Sequence, residues 1–180
     1  MKINYKKSMK FVILLLSSLL IAVASATVYN YMYMTGTIGV EGMTLEWRPG
    51  EDSEDAGTTI NGATVTMAHL KGPPNGTRTY SDPVRLKNTG ASAVTFDLTI
   101  VGVSGDTEQM DSIYVKIYSL NTSALINTLT VWSGGSQGSN LQNLQIPGQN
   151  AWRFQWEITW KSTATTSHSV TVSLRLDVPA

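Results

Sequence analysis

The chain has 180 residues, with 13 Lys+Arg against 13 Asp+Glu, no cysteine and 14% charged residues. Lys2, Lys6, Lys7 and Lys10 all precede the first apolar run, so the remainder carries 9 Lys+Arg against the same 13 Asp+Glu, a net −4 that argues against nucleic acid as a partner. Without cysteine, neither disulfides nor thiolate metal sites can hold the fold, and a charged fraction well below the usual ~25% leaves Ser, Thr, Asn and Gln to make the surface.

The four lysines run into an apolar stretch over residues 11–23, and Ala24-Ser25-Ala26 supplies the small-x-small pattern of a signal peptidase site. Residues 1–26 are therefore expected to be a secretory signal peptide, cut between Ala26 and Thr27. A retained anchor is the alternative, although residues 11–26 are short of the ~20 that a spanning helix uses. A type IV pilin leader, whose peptidase cuts ahead of the apolar run after a basic residue and a Gly or Ala, is disfavoured because Lys10 meets Phe11 directly.

Residues 27–40, TVYNYMYMTGTIGV, contain no charge. At a strand's period of two, Val28, Asn30, Met32 and Met34 make one face and Tyr29, Tyr31, Tyr33 and Thr35 the other. Neither face suits water, so the strand calls for a sheet to receive it, in its own body or in another copy. Met32 and Met34 read as adaptable packing rather than a copper(I) site.

Residues 41–180 are expected to form one β-sandwich domain. Residues 42–48 read as a strand with Met43, Leu45 and Trp47 on one side, ended by Pro49-Gly50. The acidic run Glu51, Asp52, Ser53, Glu54, Asp55 is a solvated loop or a site for a hard cation such as calcium, though EF-hand spacing is missing. Residues 58–70 read as a hairpin turning at Asn61-Gly62. Pro83 is expected to start the next strand or to lie at an edge, and Asn88-Thr89-Gly90 to turn. The alternation over residues 93–103 puts Val94, Phe96, Leu98, Ile100 and Gly102 on one face. Further strands follow over residues 112–120, 124–132 and 141–146, with a Gly-rich loop at 134–140. Residues 151–161 form an aromatic-rich central strand through Trp152, Phe154, Trp156, Ile158 and Trp160, and the closing strand carries Val170, Val172, Leu174, Leu176 and Val178. About nine or ten strands at ~8–12-residue spacing define an all-β sandwich or jelly roll.

The Val23-Ala24-Ser25-Ala26 signal end, the uncharged leader, Leu86-Lys87-Asn88-Thr89-Gly90 before a long alternating strand and the SVTVSLRLDV close together resemble the archaeal bundling pilins and the related TasA/camelysin family of bacterial biofilm fibre proteins. The resemblance implies a jelly roll that polymerises by donor-strand complementation, with residues 27–38, ending at Ile38, as donor segment and Gly36 and Gly39 as the hinge that lets it leave its own body. It further implies a homopolymer outside the cell, serving adhesion, bundling or biofilm formation through contacts with neighbouring filaments or cells.

No enzyme is expected: His69 and His168 are the only imidazoles, and no HExxH or GxSxG arrangement accompanies them. Neither a catalytic residue, a metal nor a cofactor is assigned. The sequons at Asn75 and Asn121 fall in expected turns and are candidate glycan acceptors. The competing function is a monomeric secreted or cell-surface sandwich that binds carbohydrate through Trp47, Trp132, Trp152, Trp156 and Trp160.

Overall fold

A computed structural model describes residues 44–178 of the chain. The expected signal peptide, its cleavage residues, the donor strand and its Gly36/Gly39 hinge lie outside the described residues. In chain order the strands are β1 (Leu45–Pro49), β2 (Thr58–Asn61), β3 (Thr64–Met67), β4 (Thr77–Asn88), β5 (Val94–Gly105), β6 (Met110–Ser119), β7 (Leu125–Ser133), β8 (Ser136–Gln137), β9 (Leu141–Ile146), β10 (Ala151–Trp160) and β11 (Val170–Asp177). A single 3-10 turn, Thr107–Gln109, precedes β6.

The strands form a β-sandwich, all of whose pairings are antiparallel. One sheet has six strands in the order β1-β4-β10-β6-β7-β8, a second has three in the order β11-β5-β9, and β2-β3 stands as a separate hairpin. Alternation in sequence becomes alternation in burial. Along β10, Trp152, Phe154, Trp156 and Ile158 are buried while Arg153, Gln155 and Glu157 stay half-exposed. Ile113, Val115 and Ile117 of β6 and Leu129 and Val131 of β7 continue the same layer, and Phe96, Leu98 and Ile100 of β5 close on it from the second sheet.

The aromatic strand is central, as expected, with β4 on one side and β6 on the other. Three local expectations need correction. Pro83 lies inside β4, which is itself flanked by β1 and β10, and not at a strand start or sheet edge. It fits because the register jumps there from Val84↔Phe154 to Tyr80↔Trp156, a bulge over residues 81–83, and because β1 stops at Pro49↔Val84, so nothing asks Pro83 for the N–H it lacks. On β5 a bulge between Ile100 and Gly102 leaves Val101 57% exposed and turns Val103, not Gly102, toward the core. The hairpin turns on Gly62-Ala63, one residue later than expected, with Gly62 at the positive φ of 58° that the first central position of a II′ turn needs. The Gly-rich loop also contains a short strand, β8, reached through Gly134 and Gly135 at φ 58° and 83°, the I′ geometry.

Asn88, at the end of β4, is fully buried and ties one end of the sandwich together. Its amide nitrogen donates to the carbonyls of Ser92 (2.8 Å), Ile146 (3.2 Å) and Pro147 (3.2 Å), and its oxygen accepts from the Gly90 N–H (2.9 Å). Beside it the N–H and hydroxyl of Thr89 both donate to the Thr44 carbonyl, at 2.6 and 2.9 Å, which fixes where the preceding chain joins the body.

Candidate assembly groove

The inward face of β11 is apolar, yet Val170, Val172, Leu174 and Leu176 are only half-buried, whereas Phe96, Leu98 and Ile100 on neighbouring β5 are at most 5% exposed. The difference is positional. β5 is covered by β11 and β9, but among the described residues no strand pairs with the outer edge of β11. The outer edge of β3 is likewise unpaired, since β3 bonds only to β2.

Between these two edges lies a groove of about 810 Å³. Val65 and Met67 of β3 form one wall and Val170 and Val172 of β11 the other, while Met110, Ile113, Trp156 and Ile158 make the floor. Those four floor side chains are buried at 1%, 3%, 6% and 7% exposure, so the groove reaches the sandwich core itself. Among the described residues, Lys71 and His168 are the only ionisable ones lining it, and no carboxylate does.

The end wall is fixed by backbone hydrogen bonds. The Trp160 N–H donates to the Gly76 carbonyl (3.2 Å), the Asn75 N–H to the Lys161 carbonyl (3.2 Å) and the Lys161 N–H to the Gln109 carbonyl (3.0 Å). Gly72 lies so close over Trp160 that a Cβ would come within 2.9 Å of the indole Cδ1. The connection from β10 to β11 is held by Asp106, whose N–H donates to the Ser169 carbonyl (2.9 Å) and whose carboxylate accepts the Ser169 N–H (2.8 Å). Within it, His168 Nδ1 accepts the Thr165 N–H at 2.9 Å, so this imidazole has a structural partner.

A second cleft, of about 330 Å³, is lined by Glu54, Asp55, His69, Lys71, Arg78 and Tyr80. Arg78 pairs with Asp55 at 2.5 Å and lies 4.8 Å over the Tyr80 ring, and the Tyr80 hydroxyl accepts from the Lys71 N–H (2.9 Å) and donates to the His69 carbonyl (3.0 Å). Three of the four carboxylates of the acidic loop meet protein partners: Glu51 meets Arg85 at 3.1 Å, Asp52 accepts the Asp82 N–H at 3.0 Å, and Asp55 takes Arg78. Among the described residues, no group of three or more His, Asp or Glu is arranged to hold a metal ion. Hydrogen bonding to Asp82 raises the Arg85 pKa above its ordinary value, and that to Glu157 does the same for Lys116.

The two histidines do not meet in one site: His168 lines the groove and His69 the second cleft. Of the five tryptophans, Trp152 and Trp156 are core residues, and Trp47, Trp132 and Trp160 are partly buried against that core. Both sequon asparagines are exposed at turns, Asn75 with φ 54° and Asn121 with its Nδ2 donating to Asn150 Oδ1 at 2.5 Å. The sequence carries no local signal that the β2-β3 hairpin forms the wall facing β11, nor of the role of Asn88. No protein-family model matches the chain, and no curated protein matches it.

Proposed function

We propose that the chain is the structural subunit of an extracellular filament, in which residues 27–40 of one copy complete the sandwich of the next by donor-strand complementation. The observation that carries this reading is the groove with an unpaired strand edge on each side and core side chains at its floor. A strand laid there gains ladder hydrogen bonds on both edges and apolar burial below. The leader suits it: it is long enough, apolar at Val28, Met32, Met34 and Ile38, and uncharged, so no ion is stripped of water on entry.

The placing of the two poles permits exchange between copies. The body begins at Thr44, level with Asn88 and Ala151, whereas the groove ends beside Trp160 and Val170. The ten residues of β10 separate these two poles by about 30 Å. Residues 39–44 extend at most ~20 Å, so Ile38 of the same chain would reach only the near end of the groove, whereas copies stacked pole to pole would bring the leader of one to the groove of the next. The resemblance to secreted fibre proteins points the same way, and adhesion, bundling or biofilm formation are the roles such a homopolymer would serve at the cell surface.

Negative-stain electron microscopy of the chain beginning at Thr27, beside one beginning at Glu41, tests the proposal. Threads from the first and folded monomers from the second are expected. Folded monomers from both would refute it.

A further inference from the structure

Four large apolar side chains stand out as exposed among the described residues: Val101 at 57%, Leu120 at 37%, Leu125 at 53% and Ile126 at 42%. Val101 is the mid-strand bulge of β5, but the other three gather at the tip of the β6-β7 hairpin. Tyr118 pairs with Leu125 across it, and the Ser119 N–H donates to the Ala124 carbonyl at 2.9 Å to close the turn. The tip belongs to a stretch, residues 119–152, with no charged side chain.

The tip is at the pole where the chain enters the body. The Leu120 N–H donates to the Ala151 carbonyl (2.9 Å), Ala151 pairs with Lys87, the Asn88 N–H donates to the Asn150 carbonyl (2.9 Å), and Leu45 pairs with Asn88. Counting across β1, β4, β10, β6 and β7 at ~4.8 Å per strand puts the apolar tip about 15–20 Å from the point where residues 1–43 join. If the leader of this copy occupies a neighbour's groove, the tip is carried against the neighbour's groove pole. There the exposed Pro73 and Pro74 and the half-buried Trp160 offer an apolar surface next to the groove end.

Resting on the donor-strand reading, we propose that Leu120, Leu125 and Ile126 form a second subunit contact, docking onto the Pro73-Pro74 loop of the copy that receives the leader. The occupant of this patch is thus another copy of the same chain, and the contact is heterologous: tip to loop, repeated along the thread. It makes the joint a two-point attachment, which fixes the angle between subunits. A neutral tip also lets bodies of net −4 approach without opposing charges.

Because the chain has no native cysteine, a cross-link reads the contact directly. Leu125→Cys combined with Pro74→Cys in the chain beginning at Thr27, oxidised after assembly, should give a ladder of dimers, trimers and longer species on a non-reducing gel. Each single-cysteine variant should give at most a dimer. Independently, Leu125→Asp with Ile126→Asp should melt like the unaltered body yet give shorter threads that dissociate at lower denaturant, while Val101→Asp leaves the threads unchanged. Threads of normal length and resistance from the double-aspartate variant, or threads without a ladder, would overturn this contact and leave the donor-strand reading standing. Absence of threads from the unaltered chain would overturn both.

Discussion

Asn88→Ala should be among the most damaging single changes on the polar side of this fold. The amide makes three donor contacts and one acceptor contact from a fully buried position. Each neutral hydrogen bond contributes about 0.5–1.5 kcal/mol net, and a buried partner left unsatisfied costs ~1–3 kcal/mol. Gly90 is only half-buried and Ser92 exposed, so water can replace the lost bonds there, but Ile146 is fully buried and its carbonyl loses a partner outright. The expected loss is about 3–5 kcal/mol. For a body of this size that lowers the melting temperature by roughly 6–20 °C. The assay is urea and thermal unfolding of the chain beginning at Glu41, followed by tryptophan fluorescence, since all five tryptophans lie in the body. Asn88→Asp supplies a second arm. It keeps the acceptor for Gly90 but turns a carboxylate oxygen toward three carbonyls. The buried acid would hold its proton more tightly folded than unfolded, so this variant should lose further stability as pH rises through the unfolded carboxyl value of about 3.9 and up to its raised folded value. A cost below about 1 kcal/mol for Asn88→Ala would refute the assignment of this amide as the tie between β4 and the β9-β10 corner.

Other outcomes follow from the same structure. Trp156→Ala should cost ~3–5 kcal/mol in urea unfolding, as a core truncation does; intact stability with loss of glycan binding would instead revive a tryptophan sugar platform. Gly50→Ala should destabilise by about 1–3 kcal/mol in the same assay, because its Cβ would sit 2.0 Å from the Asp82 carbonyl oxygen, a backbone atom that cannot swing away. The Asp177 carboxyl is held below its ordinary value, first by the hydrogen bond from Arg175 and then by that from the Thr99 hydroxyl. Its contribution is therefore full above the unfolded carboxyl value of about 3.9 and is lost as pH falls through the folded value, so the stability difference between the protein and Asp177→Asn should shrink below about pH 4. The Lys116 pKa is raised by its 2.7 Å contact with Glu157, so Glu157→Gln should cost up to ~1 kcal/mol at neutral pH, a difference that on the alkaline side is lost as pH rises through the folded lysine value.

Much of the sandwich could be read from the chain because its strands obey a simple period. Trp152, Phe154, Trp156 and Ile158 alternate without interruption, and all four are buried. Reading failed where a bulge changed the phase. At Val101 the inward face passes from Ile100 to Val103, and at residues 81–83 a bulge lets a proline sit within a central strand; neither leaves a local mark strong enough to outweigh alternation. Asn88 occupies a position that alternation gives to an apolar residue, and only the three carbonyls converging from residues 92, 146 and 147 explain an amide there. The groove was harder still. Its walls come from β3 and β11, more than a hundred residues apart, so no window of sequence contains it.

The half-burial of β11 bears on both folding and the proposed assembly. An edge strand with four inward apolar residues and, among the described residues, no partner on its outer ladder is an aggregation hazard, and Arg175 is its only basic gatekeeper. Nothing in the closing strand blunts that edge with proline or a run of charge, and the facing edge of β3, TVTM, has no charge either. Two undefended edges bordering one groove make sense if the groove is filled by a strand that always arrives with the next subunit. On this view the body beginning at Glu41 should unfold at lower denaturant than the same body with residues 27–40 supplied as a separate peptide. The peptide binds only the folded groove, so stabilisation should grow with its concentration as mass action requires. A peptide with Met32→Asp and Met34→Asp should give none, because the apolar face that meets Trp156 and Ile158 would then have to bury carboxylates. Equal stabilisation by both peptides would mean that the groove does not read the leader's apolar face, and the donor-strand account would fail at its central step.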